Sequence, residues 1–227
     1  MQNYTKSTNF KEFYNKRRKK QIILSFFFLS SLILGWIYPI FGFCIPVCVI
    51  FGIGIGAFKG RKWCDWYCPR GSFWDTIVGP ISAGKEIPSF LKNYYLRFGI
   101  MIFLFGMMIL QILTKFPDLN TIGRFFIILL TSTTIIGILL GILFHKRSWC
   151  SICPVGLAAN LAGKNKCLLS IESASCKECK ACAKVCPADI KPYIHKTEGT
   201  KIVKEPDCYK CESCINACPN KALNFSK

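Results

Sequence analysis

Two cysteine runs near the end of the chain share one frame: Cys176, Cys179, Cys182 and Cys186-Pro187 recur as Cys208, Cys211, Cys214 and Cys218-Pro219. Three thiolates a few residues apart let one short loop wrap three corners of an iron–sulfur cubane, and in two-cluster proteins the fourth cysteine of each run ligates the other cluster. The spacing therefore predicts two [4Fe-4S] clusters. Cys176, Cys179, Cys182 and Cys218 would hold the first, and Cys208, Cys211, Cys214 and Cys186 the second. Structural zinc more often takes two cysteine pairs across a long spacer. A secreted disulfide framework conflicts with the orientation derived below. Between the runs, IHKTEGTKIVK reads as a hairpin with a glycine-containing turn, and residues 164–227 as an α+β domain of bacterial 2[4Fe-4S] ferredoxin-like type.

A second constellation repeats upstream. Arg61-Lys62-Trp63-Cys64 leads to Cys68-Pro69-Arg70-Gly71, and Arg147-Ser148-Trp149-Cys150 leads to Cys153-Pro154-Val155-Gly156. Brought together, Cys64, Cys68, Cys150 and Cys153 could hold a third [4Fe-4S] cluster or form two reversible dithiols. The plainer alternative is loop thiols without a shared role. Of the fifteen cysteines, Cys44 and Cys48 lie one helical turn apart and suit packing between helices, or an outward-side dithiol. Cys167 reads as a spare thiol.

The elements that position these residues are set by hydropathy. No charged residue occurs between Lys20 and Lys59, a stretch too long for one crossing of a ~30 Å hydrocarbon core. The chain must turn back near Tyr38-Pro39-Ile40-Phe41-Gly42, giving spans over 21–38 and 41–58. A third apolar run follows Arg97 and ends at Lys115, and a fourth covers 125–144. The expected fold is thus a membrane α-helical domain of four transmembrane helices, built as a duplicated hairpin over 21–163, behind a basic segment 1–20. Both hairpins share one orientation, which predicts a pseudo-twofold axis along the membrane normal. The apolar stretch after Lys20 is too long for the core of a cleaved signal peptide.

Seven Lys or Arg precede the first span and seven more lie from Lys59 to Arg97, whereas Lys115 and Arg124 alone separate spans three and four. The basic segments are expected to face the cytoplasm, which puts the chain in an inner (cytoplasmic) membrane with both termini on the cytoplasmic side. The formal net charge of +18 is then positive-inside bias and lipid contact rather than nucleic-acid binding. Trp36, Trp63, Trp66, Trp74, Tyr94, Tyr95 and Trp149 are expected as interfacial aromatics. The two histidines, His145 and His195, give no axial pair inside the membrane, so no bis-His haem b is expected. Gly52-Ile53-Gly54-Ile55-Gly56 lies within a span and reads as a helix-contact stripe rather than a nucleotide loop.

With its four spans, two Trp-Cys...Cys-Pro-x-Gly motifs and double [4Fe-4S] frame, the chain resembles the NapH/MauN-type ferredoxin membrane proteins over nearly its full length. Related modules occur in NosR-, RdhC- and CcoG-type proteins. Cys64-Asp65-Trp66-Tyr67-Cys68-Pro69 fits the family's Cys-x-x-x-Cys-Pro pattern, and Cys150-Ser151-Ile152-Cys153-Pro154 is one residue shorter. The resemblance implies an iron–sulfur electron-transfer subunit of quinol-dehydrogenase type. It would link a quinone pool or a cytoplasmic carrier to a partner reductase. Trp36, Tyr38, Trp66 or Trp74 could line a quinone site. An assembly or sensor protein that reduces a metal ion or a disulfide is the other class. From Lys164 onward twelve Lys face seven acidic residues, which suits an acidic carrier such as ferredoxin or flavodoxin.

Overall fold

The computed structural model describes residues 8–164, 166–196, 199–203 and 205–225. Thirty residues without a proline form α1 (Thr8–Ile37). The basic segment from Lys11 to Lys20 continues this helix rather than preceding it, because lysine and arginine are good helix formers and Arg17 and Gln21 find buried partners. Pro39 opens a 3₁₀ turn, Pro39–Phe43, and α2 (Cys44–Lys59) returns. Two short helices follow, α3 (Lys62–Trp66) and α4 (Pro69–Phe73), then the long α5 (Tyr94–Lys115) and α6 (Leu119–Leu143). A second short pair, α7 (Ser148–Ile152) and α8 (Pro154–Ala162), closes the helical part.

Among the described residues four segments are long and apolar enough to cross a membrane: Phe10–Ile37, Pro39–Lys59, Tyr94–Lys115 and Leu119–Leu143. The last begins earlier than the hydropathy run because Asp118 caps it, accepting hydrogen bonds from the Asn120 and Thr121 backbone N–H groups. Large apolar side chains such as Ile23, Phe26, Ile50, Phe103 and Leu113 point outward, a surface that suits lipid rather than water. Close backbone approach holds the end of the bundle at the Pro39–Phe43 turn: a Cβ on Gly42 would collide with Gly123, and one on Gly123 with Pro39. The expected glycine stripe is used at two of its three positions. Gly52 admits Val155 and Trp63, Gly56 admits Ala159, and Gly54 meets nothing.

Two of the expected interfacial aromatics are core residues instead. Trp74 is fully buried and Trp149 nearly so, and Gly137 of α6 leaves room for the Trp74 ring, 2.6 Å from where its Cβ would stand. The short helices thus plug into the bundle.

The C-terminal part is built on β1 (Leu169–Glu172), with α9 (Ala181–Lys184), β2 (Thr200–Val203), α10 (Ser213–Ala217) and β3 (Leu223–Phe225) around it. β1 is the central strand, antiparallel to both neighbours, with Leu169 opposite Val203 and Phe225. Leu169 and Ile171 turn to one face and pack with Cys182, Val203 and Leu223. Among the described residues the expected hairpin over 194–204 is not formed. A 3₁₀ turn occupies Pro192–His195, and β2 pairs with β1 instead, where Val203 gains a buried apolar face; Thr197, Glu198 and Lys204 of that segment lie outside the described residues. The two cysteine runs share an unusual backbone. Glu178, Lys180 and Asp189 adopt positive φ, and so do Lys210, Glu212 and Lys221 at the same places in the second run, a conformation uncommon outside glycine.

Candidate functional site

The short helix pairs are fixed by a buried charge cluster. Arg147, completely buried, donates from Nη2 to Asp75 Oδ2 at 2.7 Å and from Nε to Oδ1 at 3.0 Å. Arg17 donates from Nε to Asp65 Oδ2 at 2.7 Å and also reaches Asp75 at 3.1 Å. Gln21 adds a bond to Asp75 at 2.8 Å. Burial pushes the Asp75 carboxyl up, but Arg147, Lys146 and Arg17 outweigh it and hold it well below the usual range. Removing one partner of such a cluster strands a buried charge, which costs about 3–5 kcal/mol. Asp75→Ala should therefore destabilise the protein by about that much, read as a fall in the thermal midpoint in detergent. A loss within about 0.5 kcal/mol, typical of surface changes, would mean the cluster is not needed to hold α1 against the short helices.

From this cluster the two Trp-Cys motifs reach across to each other. Arg61 Nη2 donates to the Cys150 carbonyl at 2.8 Å, and Arg147 Nη1 to the Cys64 carbonyl at 3.0 Å. Each arginine stands three residues before the first cysteine of its own motif and holds the first cysteine of the other. The motif glycines make room for this exchange. A Cβ on Gly71 would stand 2.9 Å from Arg147 Nη1, and one on Gly156 2.7 Å from Arg61 Nη2.

The crossed contacts gather Cys64, Cys68, Cys150 and Cys153 around one cavity of about 140 Å³, also lined by Phe27, Phe28, Ile45, Val49 and Leu130. Cys44 and Cys48 line it as well. Burial pushes the Cys64 thiol up to about 11 and the Cys68 and Cys150 thiols up also, opposed by Arg61 at Cys64 and by Arg147 at Cys150. Arg70 enters the same cavity, its guanidinium 4.7 Å from the Trp149 ring and 5.5 Å from Trp74. Its Nε and Nη2 are buried without a hydrogen-bond partner among the described residues, as is Trp149 Nε1. The second motif has Val155 where the first has Arg70.

Two smaller cavities lie in the C-terminal part, each of about 20 Å³. One is lined by Cys176, Cys179, Cys182 and Cys218, the other by Cys186, Cys208, Cys211 and Cys214. Each set takes three cysteines from one run and the fourth from the other. Among the described residues no three Cys, His, Asp or Glu side chains converge closely enough to hold a single metal ion.

Residues 168–219 match the family described as 4Fe-4S dicluster domain, and residues 41–88 and 125–170 each match the family described as 4Fe-4S binding domain. This is an iron–sulfur protein. No curated protein and no solved structure matches the chain. Its 4Fe-4S domains and four apolar helices make it a membrane-associated protein of electron transport.

The sequence places Arg61, Arg70 and Arg147 in the repeated motifs without assigning them a role, and does not single out Tyr209. All are buried or partly buried around the cysteine sites. The signal available was positional: an arginine three residues before the leading cysteine occurs in both motifs. The aromatics expected to line one quinone site do not gather. Trp74 is in the core, Trp66 contacts the Cys211 carbonyl of the dicluster domain, and Trp36 and Tyr38 are exposed at the far end of α1.

Proposed function

We propose that this chain is a membrane-bound electron-transfer subunit with three four-cysteine sites. Cys176, Cys179, Cys182 and Cys218 would hold one [4Fe-4S] cluster, Cys208, Cys211, Cys214 and Cys186 a second, and Cys64, Cys68, Cys150 and Cys153 a third. When bound, such clusters supply one-electron transfer at potentials tuned by charge, hydrogen bonds and solvent access. The donor sets fit. A tetrahedral zinc site with bonds of about 2.3 Å needs sulfurs close to one point, whereas these thiols stand around cavities, as a multinuclear core requires.

The observation that carries the third site is Arg70. Burying guanidinium nitrogens without a hydrogen-bond partner costs free energy; Nε and Nη2 of the half-buried Arg70 are such atoms among the described residues, and among the groups around this cavity the thiolates are the anions available to offset that cost. Four neutral loop thiols would leave that cost standing; an anionic thiolate-ligated centre removes it. The exchange of arginines between the motifs, and the double match to one family, support the reading that the two hairpins are copies related by an axis through this site. The basic-residue distribution supports an inner-membrane orientation with both termini and all three sites on the cytoplasmic side.

The apolar wall formed by α1, α2 and α6 beside the third site suits a lipid-borne carrier such as a quinone, and the lysine-rich first cysteine run suits an acidic carrier or a partner reductase. In liposomes under anaerobic conditions, a quinol should reduce the protein, and an acidic ferredoxin should then oxidise or reduce it with a rate that falls as salt rises. A protein inert toward both, yet able to reduce a copper ion or a protein disulfide, would belong to the assembly class instead.

A further inference from the structure

The two cysteine runs differ most where the dicluster domain meets the membrane helices. Ser175, Lys177 and Lys180 of the first run correspond to Asp207, Tyr209 and Glu212 of the second. All three residues of the second run are docked. Asp207 accepts from Arg61 at 2.7 Å and from Arg97 at 2.8 Å, and Glu212 pairs with Lys62 at 2.5 Å. Tyr209, 2% exposed, lies under two guanidinium groups, Arg61 at 5.0 Å and Arg147 at 5.3 Å from its ring centroid. These are the two arginines that hold the carbonyls of Cys150 and Cys64.

Tyr209 therefore lines one site and is tied to the other through the two arginines. It follows Cys208 directly and lines the cavity of Cys186, Cys208, Cys211 and Cys214. It also belongs to the one apolar core that contains Cys64, Cys150 and Cys211. The first run has Lys177 in its place, and Cys179 there is exposed, so that run faces away from the membrane site and is left for an outside carrier.

We propose that Tyr209, positioned by Arg61 and Arg147, is the contact through which electrons pass between the dicluster domain and the four-cysteine membrane site. The proposal rests on the reading that both places hold clusters. In each step one electron leaves one site and arrives at the other, with no bond formed or broken and no proton moved. The ring fills the gap with packed atoms and is itself neither oxidised nor reduced. The paired cations fix it by cation–π contact and tie its position to both halves of the membrane site.

Freeze-quenched paramagnetic resonance on the full protein, after mixing with a low-potential reductant, tests this. In the unaltered protein the dicluster and membrane-site signals should rise together. In Tyr209→Leu the dicluster signal should rise at the unaltered rate while the membrane-site signal lags at least tenfold, with iron content unchanged. Tyr209→Phe, which keeps the ring, should restore the rate. Tyr209→Met, closer in length, carries the comparison if the leucine variant loses iron. An undelayed membrane-site signal in an iron-replete leucine or methionine variant would overturn the proposal. Absence of any membrane-site signal in the unaltered protein, with about eight iron atoms as two cubanes require, would instead overturn the three-site reading on which it stands.

Discussion

Anaerobically purified protein should carry about twelve iron atoms per chain, the content of three cubanes, and Cys68→Ser or Cys153→Ser should each lower it by about four. The expectation rests on one cavity shared by Cys64, Cys68, Cys150 and Cys153, so that loss of a sulfur from either motif empties the same site. The shorter spacing of the second motif does not keep Cys153 away: α7 ends at Ile152 and passes directly into Cys153, whereas α3 ends at Trp66 and spends Tyr67 before Cys68. Arg70→Leu supplies a finer readout. Iron should stay near twelve while the reduction potential of one cluster falls, because a cation that favoured the more negative, reduced form has gone. Eight iron atoms and four alkylatable thiols in the untouched protein would remove the third cluster and leave a dithiol pair.

Much of the architecture could be read from residue pattern because it depends on local features. An apolar stretch without charge forces a turn, and Pro39 lies at that turn. The cysteine frame repeats with enough regularity that the crossed lining of the two cavities could be written down from spacing. What could not be read depends on partners far apart in sequence. A run of basic residues before a span looks like membrane-surface charge, and only the fold brings Arg17 to Asp65 and Asp75, or Arg147 to Cys64. Trp74 and Trp149 are equally typical of an interface by composition; the space left by Gly137 makes them core residues. Among the described residues near the expected hairpin, β2 pairs with β1 instead, and Val203 is buried there with Leu169 and Ile171.

The second large effect concerns the crossed fourth ligands. Cys186→Ser should damage the site of Cys208, Cys211 and Cys214, and Cys218→Ser the site of Cys176, Cys179 and Cys182, each with loss of about four iron atoms or conversion to a three-iron core. The two positions are built alike. Cys186 Sγ accepts the Ile190 N–H at 3.4 Å and Cys218 Sγ the Ala222 N–H at 3.3 Å, a bond to the residue four further on in both runs. They differ in surroundings, which makes the outcome assignable. Cys186 packs against the core that includes Tyr209, Cys64 and Cys150, whereas Cys218 packs with Leu169, Ile171 and Leu223 beneath the sheet. Cys186→Ser should therefore alter the signal that is magnetically coupled to the membrane site, and Cys218→Ser the signal of the outward site near exposed Cys179. If Cys186→Ser changed the outward signal and left the coupled one intact, each run would be closing its own cluster, and the lining of both cavities would have been misread.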